Sequence, residues 1–201
     1  MNDLEIILDF DGVMVNSFLY YLSHPLKTLN ILVKAFANCL KERNIGPKNL
    51  VKNFLIYTKG YAEEIGREMI MYKDSGLMDF LYFLNDHNKI VYIVSSSQKY
   101  LIENFMRSIE NSLKEKFDYR IIASSQQLFI SSYRKIKFFN NKKIFSITDS
   151  ENDFYLNKKS DFPIIKKSFL YFISRRKPEG FVIKNLNDTL PLLNILFNEK
   201  T

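Results

Sequence analysis

Short, uninterrupted apolar runs alternate with longer stretches of helical spacing along most of this chain. Five runs read as strands: residues 4–9, 89–95, 119–123, 143–148 and 162–165. Their hydrophobicity is continuous, as in Ile90-Val91-Tyr92-Ile93-Val94, which predicts strands covered on both faces, as in a parallel sheet. Helical spacing falls between them at 77–86 (Leu77, Phe80, Leu81, Leu84), 99–115 (Leu101, Ile102, Phe105, Ile109, Leu113) and 189–197. The alternation predicts right-handed crossovers and an α/β fold, a Rossmann-like doubly wound parallel sheet. In that architecture ligands gather beyond the carboxyl ends of the strands.

One interval breaks the rhythm. From Asn16 to Ser75 no strand signal occurs, only helical spacing: Phe18, Leu22, Leu26, Leu29, Leu32, Val33, Phe36 and Leu40, then Tyr61, Ile65, Met69 and Tyr72. Gly46-Pro47 divides two helical pieces and Gly60 marks a further break. Some sixty helical residues are too many for a crossover. The expected organisation is a core domain of residues 1–15 and 76–201, with residues 16–75 inserted as a helical cap.

Composition narrows the class. A chain of 201 residues with 46% hydrophobic and 25% charged residues suits a globular protein with one well-buried core. The first strand signal begins at residue 4, so no signal peptide is expected. His24, Pro25, Lys27 and Lys34 interrupt the most apolar early segment, which argues against a membrane span. A single cysteine, Cys39, precludes an internal disulfide and fits a reducing compartment, with the cytoplasm the expected location. The net charge of +7 is uneven: residues 131–184 carry thirteen Lys/Arg against five Asp/Glu. Such a field attracts phosphorylated ligands or nucleic acid. It is equally what a general lysine-rich bias produces, and no nucleic-acid motif accompanies it.

The candidate chemistry sits where strand signals end. Asp9-Phe10-Asp11-Gly12-Val13 follows the run Leu4-Glu5-Ile6-Ile7-Leu8 and sets two carboxylates two residues apart. Two such charges repel and resist desolvation, so a fold keeps them together with a cation or a shared proton. One can serve as nucleophile while the other handles the leaving group's proton. A solvated Asp-Gly turn would look the same. The second strand signal ends in Ser95-Ser96-Ser97, whose hydroxyls and backbone N–H groups can donate to phosphoryl oxygens or cap a helix. The fourth ends in Thr148-Asp149-Ser150-Glu151-Asn152-Asp153. Asp149 and Asp153 would share one face of a helix starting there, or simply complement its dipole. Between these blocks Lys135 and Lys137 could reach inward or stay solvated.

The ordered set Asp9-x-Asp11-x-Val13, Ser95, a lysine near 135 and Asp149-x-x-x-Asp153 resembles the haloacid dehalogenase-like hydrolases over essentially the whole chain. The helical insertion looks like that family's cap of the first type. Residues 160–165 and 180–183 are similar to the tail of phosphoserine-phosphatase-like members. The opening Asp9 to Ser17 looks equally like the phosphoglycolate-phosphatase and phosphoglucomutase branch. The resemblance implies that Asp9 attacks phosphorus and becomes an aspartyl phosphate, and that Asp11 protonates the leaving oxygen and then activates water. It further implies that Asp9, Asp149, Asp153 and the backbone carbonyl of Asp11 serve a magnesium ion (Mg2+), with Ser95, Ser96 and Lys135 or Lys137 binding the phosphoryl group. A second acid at position 11 favours phosphate esters over halides, which leave without a proton.

Three positions depart from the family pattern. Thr148 and Arg134 stand where glycine or a small residue is common, and Ser96-Ser97 replaces a frequent Gly-Gly. The expected function is magnesium-dependent hydrolysis of a small phosphorylated metabolite, with Tyr20, Tyr21, Lys27, Lys59 and Arg67 as cap residues placed either for substrate contact or for packing. A phosphomutase is the chemical alternative. A basic nucleic-acid-binding protein with weak or lost catalysis is the alternative from another class.

Overall fold

Leu4-Glu5-Ile6-Ile7-Leu8 is buried at every position and forms β1 (Leu4–Leu8), a central strand of the sheet. A computed structural model describes residues 4–124, 143–150, 153–173 and 179–198. After β1 come helices α1 (Ser17–Ser23), α2 (Pro25–Lys41), α3 (Pro47–Thr58) and α4 (Ala62–Glu68), with 3-10 turns at Lys59–Tyr61 and Met69–Tyr72. Then follow α5 (Leu77–Asp86), β2 (Val91–Gln98), α6 (Lys99–Leu113) and β3 (Tyr119–Ser124). The remaining described elements are β4 (Lys143–Thr148), α7 (Phe154–Lys159), β5 (Phe162–Lys166), α8 (Phe169–Ile173), β6 (Phe181–Ile183) and α9 (Leu190–Asn198).

The six strands lie in the order β3-β2-β1-β4-β5-β6, and every pairing is parallel. The doubly wound fold read from the apolar runs is therefore the fold observed. Alternation along β1 divides its side chains between two faces. Leu4, Ile6 and Leu8 join the main core with Phe80, Leu101, Ile102, Phe105 and Leu193. Ile7 faces the other way, packing with Val94, Ile144 and Leu156. Burying each such side chain contributes about 1.5–3 kcal/mol, so coverage of both faces holds β1 at the centre.

Register positions the strand ends. Leu8 pairs with Ile93 of β2 and with Ile147 of β4. Asp9 comes one residue after Leu8, Ser95 two after Ile93 and Asp149 two after Ile147, so three blocks far apart in the chain emerge side by side. β6 was not among the expected strands, since three residues are too few for a periodic signal.

The helical interval differs from its sequence pattern in one respect. The apolar row marked by helical spacing, Leu22, Leu26, Leu29, Val33, Phe36 and Leu40, lies exposed. The buried face of α2 is the smaller set Ile31, Ala35 and Cys39. Helix α3 packs there through Asn53, which accepts a hydrogen bond from Asn38 at 2.7 Å and donates to Cys39 Sγ at 3.3 Å. Helix α4 rests on α6 across Gly66, where a β-carbon would come within 2.8 Å of Asn104 and of the Phe105 backbone. The chain leaving the β1 end and the chain returning to α5 run together. Asn16 N donates to Tyr72 O and Asp74 N to Met14 O, each at 2.8 Å.

Candidate active site

Phe10 sets the orientation of the first motif. Its ring is fully buried, edge-on to Phe105 of α6 at 5.2 Å, while Asp9 and Asp11 on either side line a cavity of about 290 Å³ at the strand ends. Phe10 N donates to Asp9 Oδ1 at 2.9 Å, and Asp9 N donates to Ile147 O at 3.0 Å, fixing the carboxylate against β4. Asp9, Asp149 and Asp153 are all buried, and each presents an oxygen within 4.8 Å of the others.

That gathering does not follow the helical geometry read from sequence. Asp149 follows the last residue of β4, while Asp153 stands at the N-cap of α7, so the two do not lie along one helix face. Asp153 makes no side-chain capping hydrogen bond to α7, so capping does not account for it. Gly12 allows the close approach. Its φ is +78°, and a β-carbon there would collide with the Asp149 carboxylate at Oδ2. Gly12→Ala is therefore expected to displace Asp149 and strain the turn, at a cost of about 1–3 kcal/mol in stability. Any metal-dependent activity should fall on the order of 10²-fold, measured by thermal melts and steady-state rates with and without divalent metal.

Asp149 carries the clearest electrostatic signature. Burial pushes its carboxyl up to about 7, the nearby Asp153 and Asp11 charges add to this, and hydrogen bonds from Ser168 and Ser150 oppose it. Ser168 Oγ donates to Asp149 Oδ2 at 2.5 Å. Asp149 Oδ1 is buried with no hydrogen-bond partner among the described residues. An unpartnered buried carboxylate oxygen beside two further carboxylates is the donor set a hard divalent cation takes, and magnesium binds such oxygens. The residues present fit that ion.

Asp11 sits at the same cavity in a different setting. Ser17 Oγ donates to its Oδ1, Ser97 Oγ donates to its Oδ2, and Ser95 Oγ lies 3.4 Å from the same oxygen. Ser97 N in turn donates to Ser95 Oγ at 3.0 Å. The N-cap of α6 is Gln98, so Ser95 and Ser97 serve the carboxylate rather than cap the helix. Ser95, Ser96 and Ser97 all line the cavity. A hydroxyl can donate or accept, so this arrangement can hold Asp11 either ionised or protonated. Burial, with the negative charge of Asp11 adding to it, pushes the Tyr21 phenol up.

Lys135 and Lys137 lie outside the described residues. A buried lysine that sequence reading had only counted among the basic residues, Lys166 at the end of β5, binds the motif from behind. Its Nζ donates to the carbonyls of Gly12 at 3.0 Å and Val13 at 2.9 Å, and pairs with Asp74 at 2.7 Å. Ser17, Ser168 and Lys166 had no recognisable spacing to mark them. Lys166 and Ser168 reach the site from the end of β5, whose position depends on strand order, whereas Ser17 opens α1 six residues after Asp11.

The residues named in the helical interval divide. Tyr21 lines the cavity, with its ring edge-on to Phe54 at 5.3 Å. Tyr20 is buried and donates to Glu68 at 2.7 Å, and Lys27 pairs with Glu64 and Glu68 at 2.8 and 2.7 Å. Lys59 lies over the Tyr100 ring at 5.1 Å, and with Arg67 it borders a separate depression.

No family model and no curated protein matches this chain. Its structure is similar to that of a predicted phosphoglycolate phosphatase from Haemophilus somnus 129PT, with a TM-score of 0.61 at 15% identity over 96% of this chain and 99% of the other. It is also similar to CbbY from Rhodobacter sphaeroides in complex with phosphate (TM-score 0.57, 12% identity, 93% and 96% covered). A HAD-superfamily hydrolase from Ehrlichia chaffeensis matches with a TM-score of 0.51 at 15% identity, over 96% and 97% of the two chains. At such identities the likeness is one of fold.

Proposed function

We propose, on a chain that has the haloacid dehalogenase-like fold, a magnesium-dependent phosphomonoester hydrolase that works on a small phosphorylated metabolite through an aspartyl phosphate. The observation that carries the reading is the meeting of buried Asp9, Asp149 and Asp153, with Asp11 beside them at one cavity. Likeness to folds named as phosphatases, one of them holding phosphate, points the same way.

Asp9 is the nucleophile: one carboxylate oxygen forms a bond to phosphorus as the ester P–O bond breaks. The leaving oxygen takes its proton from the Asp11 carboxyl. Asp11, now ionised, accepts a proton from water as that water attacks the phosphoryl-aspartate, releasing inorganic phosphate and restoring both groups. Ser17 and Ser97 keep Asp11 oriented through the exchange. Ser95, Ser96 and a lysine at 135 or 137 bind the transferred oxygens. Asp9, Asp149 and Asp153, with the Asp11 carbonyl, would hold magnesium, which would supply charge neutralisation for the phosphoryl transfer. Residues 16–75 act as the cap that covers the reaction and excludes water.

Assay of a panel of phosphate monoesters with magnesium and with EDTA tests the reading. Release of free phosphate that requires the metal is expected. Retention of phosphate on a rearranged product would make the protein a mutase, and no turnover of any ester would overturn the reading.

Metal binding should also show in stability. The folded Asp149 carboxyl lies above its usual 3.8, at about 7, so its ionised form is the destabilised one. Without metal, stability contributed at this site is intact below about pH 4 and is lost as pH rises through about 7. The loss is at most on the order of 4 kcal/mol. A cation binds the ionised form and reverses it. The thermal shift produced by magnesium is therefore expected to be larger at about pH 7.5 than at about pH 5. Equal shifts at both would remove Asp149 from the metal site.

A further inference from the structure

The cavity lining is of two chemical kinds. Carboxylates and serines stand at the strand ends. The apolar part of the wall is Phe18, Tyr21, Val51, Phe54, Leu55 and Phe169. Val51, Phe54 and Leu55 follow the i, i+3, i+4 spacing of one helical face on α3, while Asn53 of the same helix is committed to α2. Phe18 of α1 and Phe169 of α8 stack face to face, with centroids 3.8 Å apart and planes within 4°. Phe18 and Phe169 remain 41% and 42% exposed and Val51 53%, so this wall offers apolar surface for a ligand to cover. No Lys, Arg or His lines the cavity among the described residues. In the helical interval, Lys27 pairs with Glu64 and Glu68, Lys59 lies over the Tyr100 ring, and Arg67 borders a separate depression.

We propose that the substrate is a phosphate monoester of an uncharged, apolar or aromatic alcohol, whose hydrocarbon part lies against Phe54, Val51 and the Phe18–Phe169 stack. This assignment rests on the phosphatase reading of the same site. A carboxylate or second phosphate on the alcohol would be stripped of water against these rings with no cation facing it among the described residues. An apolar group gains from the same burial, and the phenol of Tyr21 supplies one polar contact for orientation.

Two measurements on the full-length protein with magnesium test this, one of which does not depend on turnover. Benzyl phosphate and 4-carboxybenzyl phosphate are compared as substrates. Benzylphosphonate and 4-carboxybenzylphosphonate, which cannot be hydrolysed, are compared by calorimetry. Benzyl phosphate is expected to exceed its carboxylated analogue in kcat/KM on the order of 10²-fold, and the phosphonates should rank alike in affinity. Phe54→Arg should narrow or reverse both preferences. Equal or better handling of the carboxylated compounds by the wild type overturns the assignment, as does failure of both phosphonates to bind. Tighter binding of benzylphosphonate with no ester hydrolysed would uphold the ligand class and refute the hydrolase reading.

Discussion

On the proposed mechanism, Asp9→Asn is expected to lower phosphate-ester turnover on the order of 10³-fold or more, because an amide oxygen is a poor nucleophile and could not form the proposed covalent intermediate. The change removes little else. Asn retains a carbonyl oxygen to accept from Phe10 N, and it withdraws one of three carboxylates gathered within 4.8 Å. Relief of like-charge repulsion should leave the metal-free protein at least as stable as the wild type. Steady-state kinetics paired with thermal melts in EDTA check both halves. Full activity in the variant would place the nucleophile elsewhere, and a large drop in melting temperature would make the lost activity a matter of folding.

Lys166→Met should cost about 3–5 kcal/mol in folding stability, the usual effect of removing one partner from a buried ion pair. The Lys166 and Asp74 side chains are only 10% and 6% exposed, so the stranded Asp74 carboxylate would have little water to turn to. The Gly12 and Val13 carbonyls would lose their donor too, loosening the turn that lets Asp149 approach. Asp74 also accepts from Gly76 N at 2.9 Å and Leu186 N at 3.0 Å, so Lys166 sits at a junction of four chain segments. Lys166→Met combined with Asp74→Asn should cost less than the sum of the two single changes, since the pair shares one network. Denaturant unfolding of the three variants measures this, and strict additivity would mean that the pair contributes nothing jointly.

Much of the architecture was legible in the residues themselves. The apolar runs at 143–148 and 119–123 are strands, and the spacing at 77–86 is a helix, because burial on two faces or one writes a local period into the chain. Asp9-x-Asp11 at the end of such a run pointed to candidate chemistry only in company with Ser95 and Asp149-x-x-x-Asp153 further along the chain. Helix α2 shows the limit of that reading. Its larger apolar row is the exposed one, and its buried face is Ile31, Ala35 and Cys39, a choice set by which neighbouring elements pack against it and not by the helical period.

What only the tertiary structure decided is which groups meet. Asp149 and Asp153 converge without sharing a helix face, Ser17 and Ser97 hold Asp11 from two different elements, and Lys166 braces Gly12 from over 150 residues away. Local sequence encodes periodicity, which tells a segment its conformation and its buried side. It carries no record of strand order or register, and those, set by packing of the whole sheet, bring distant carboxylates to one cavity and line part of its wall with phenylalanines.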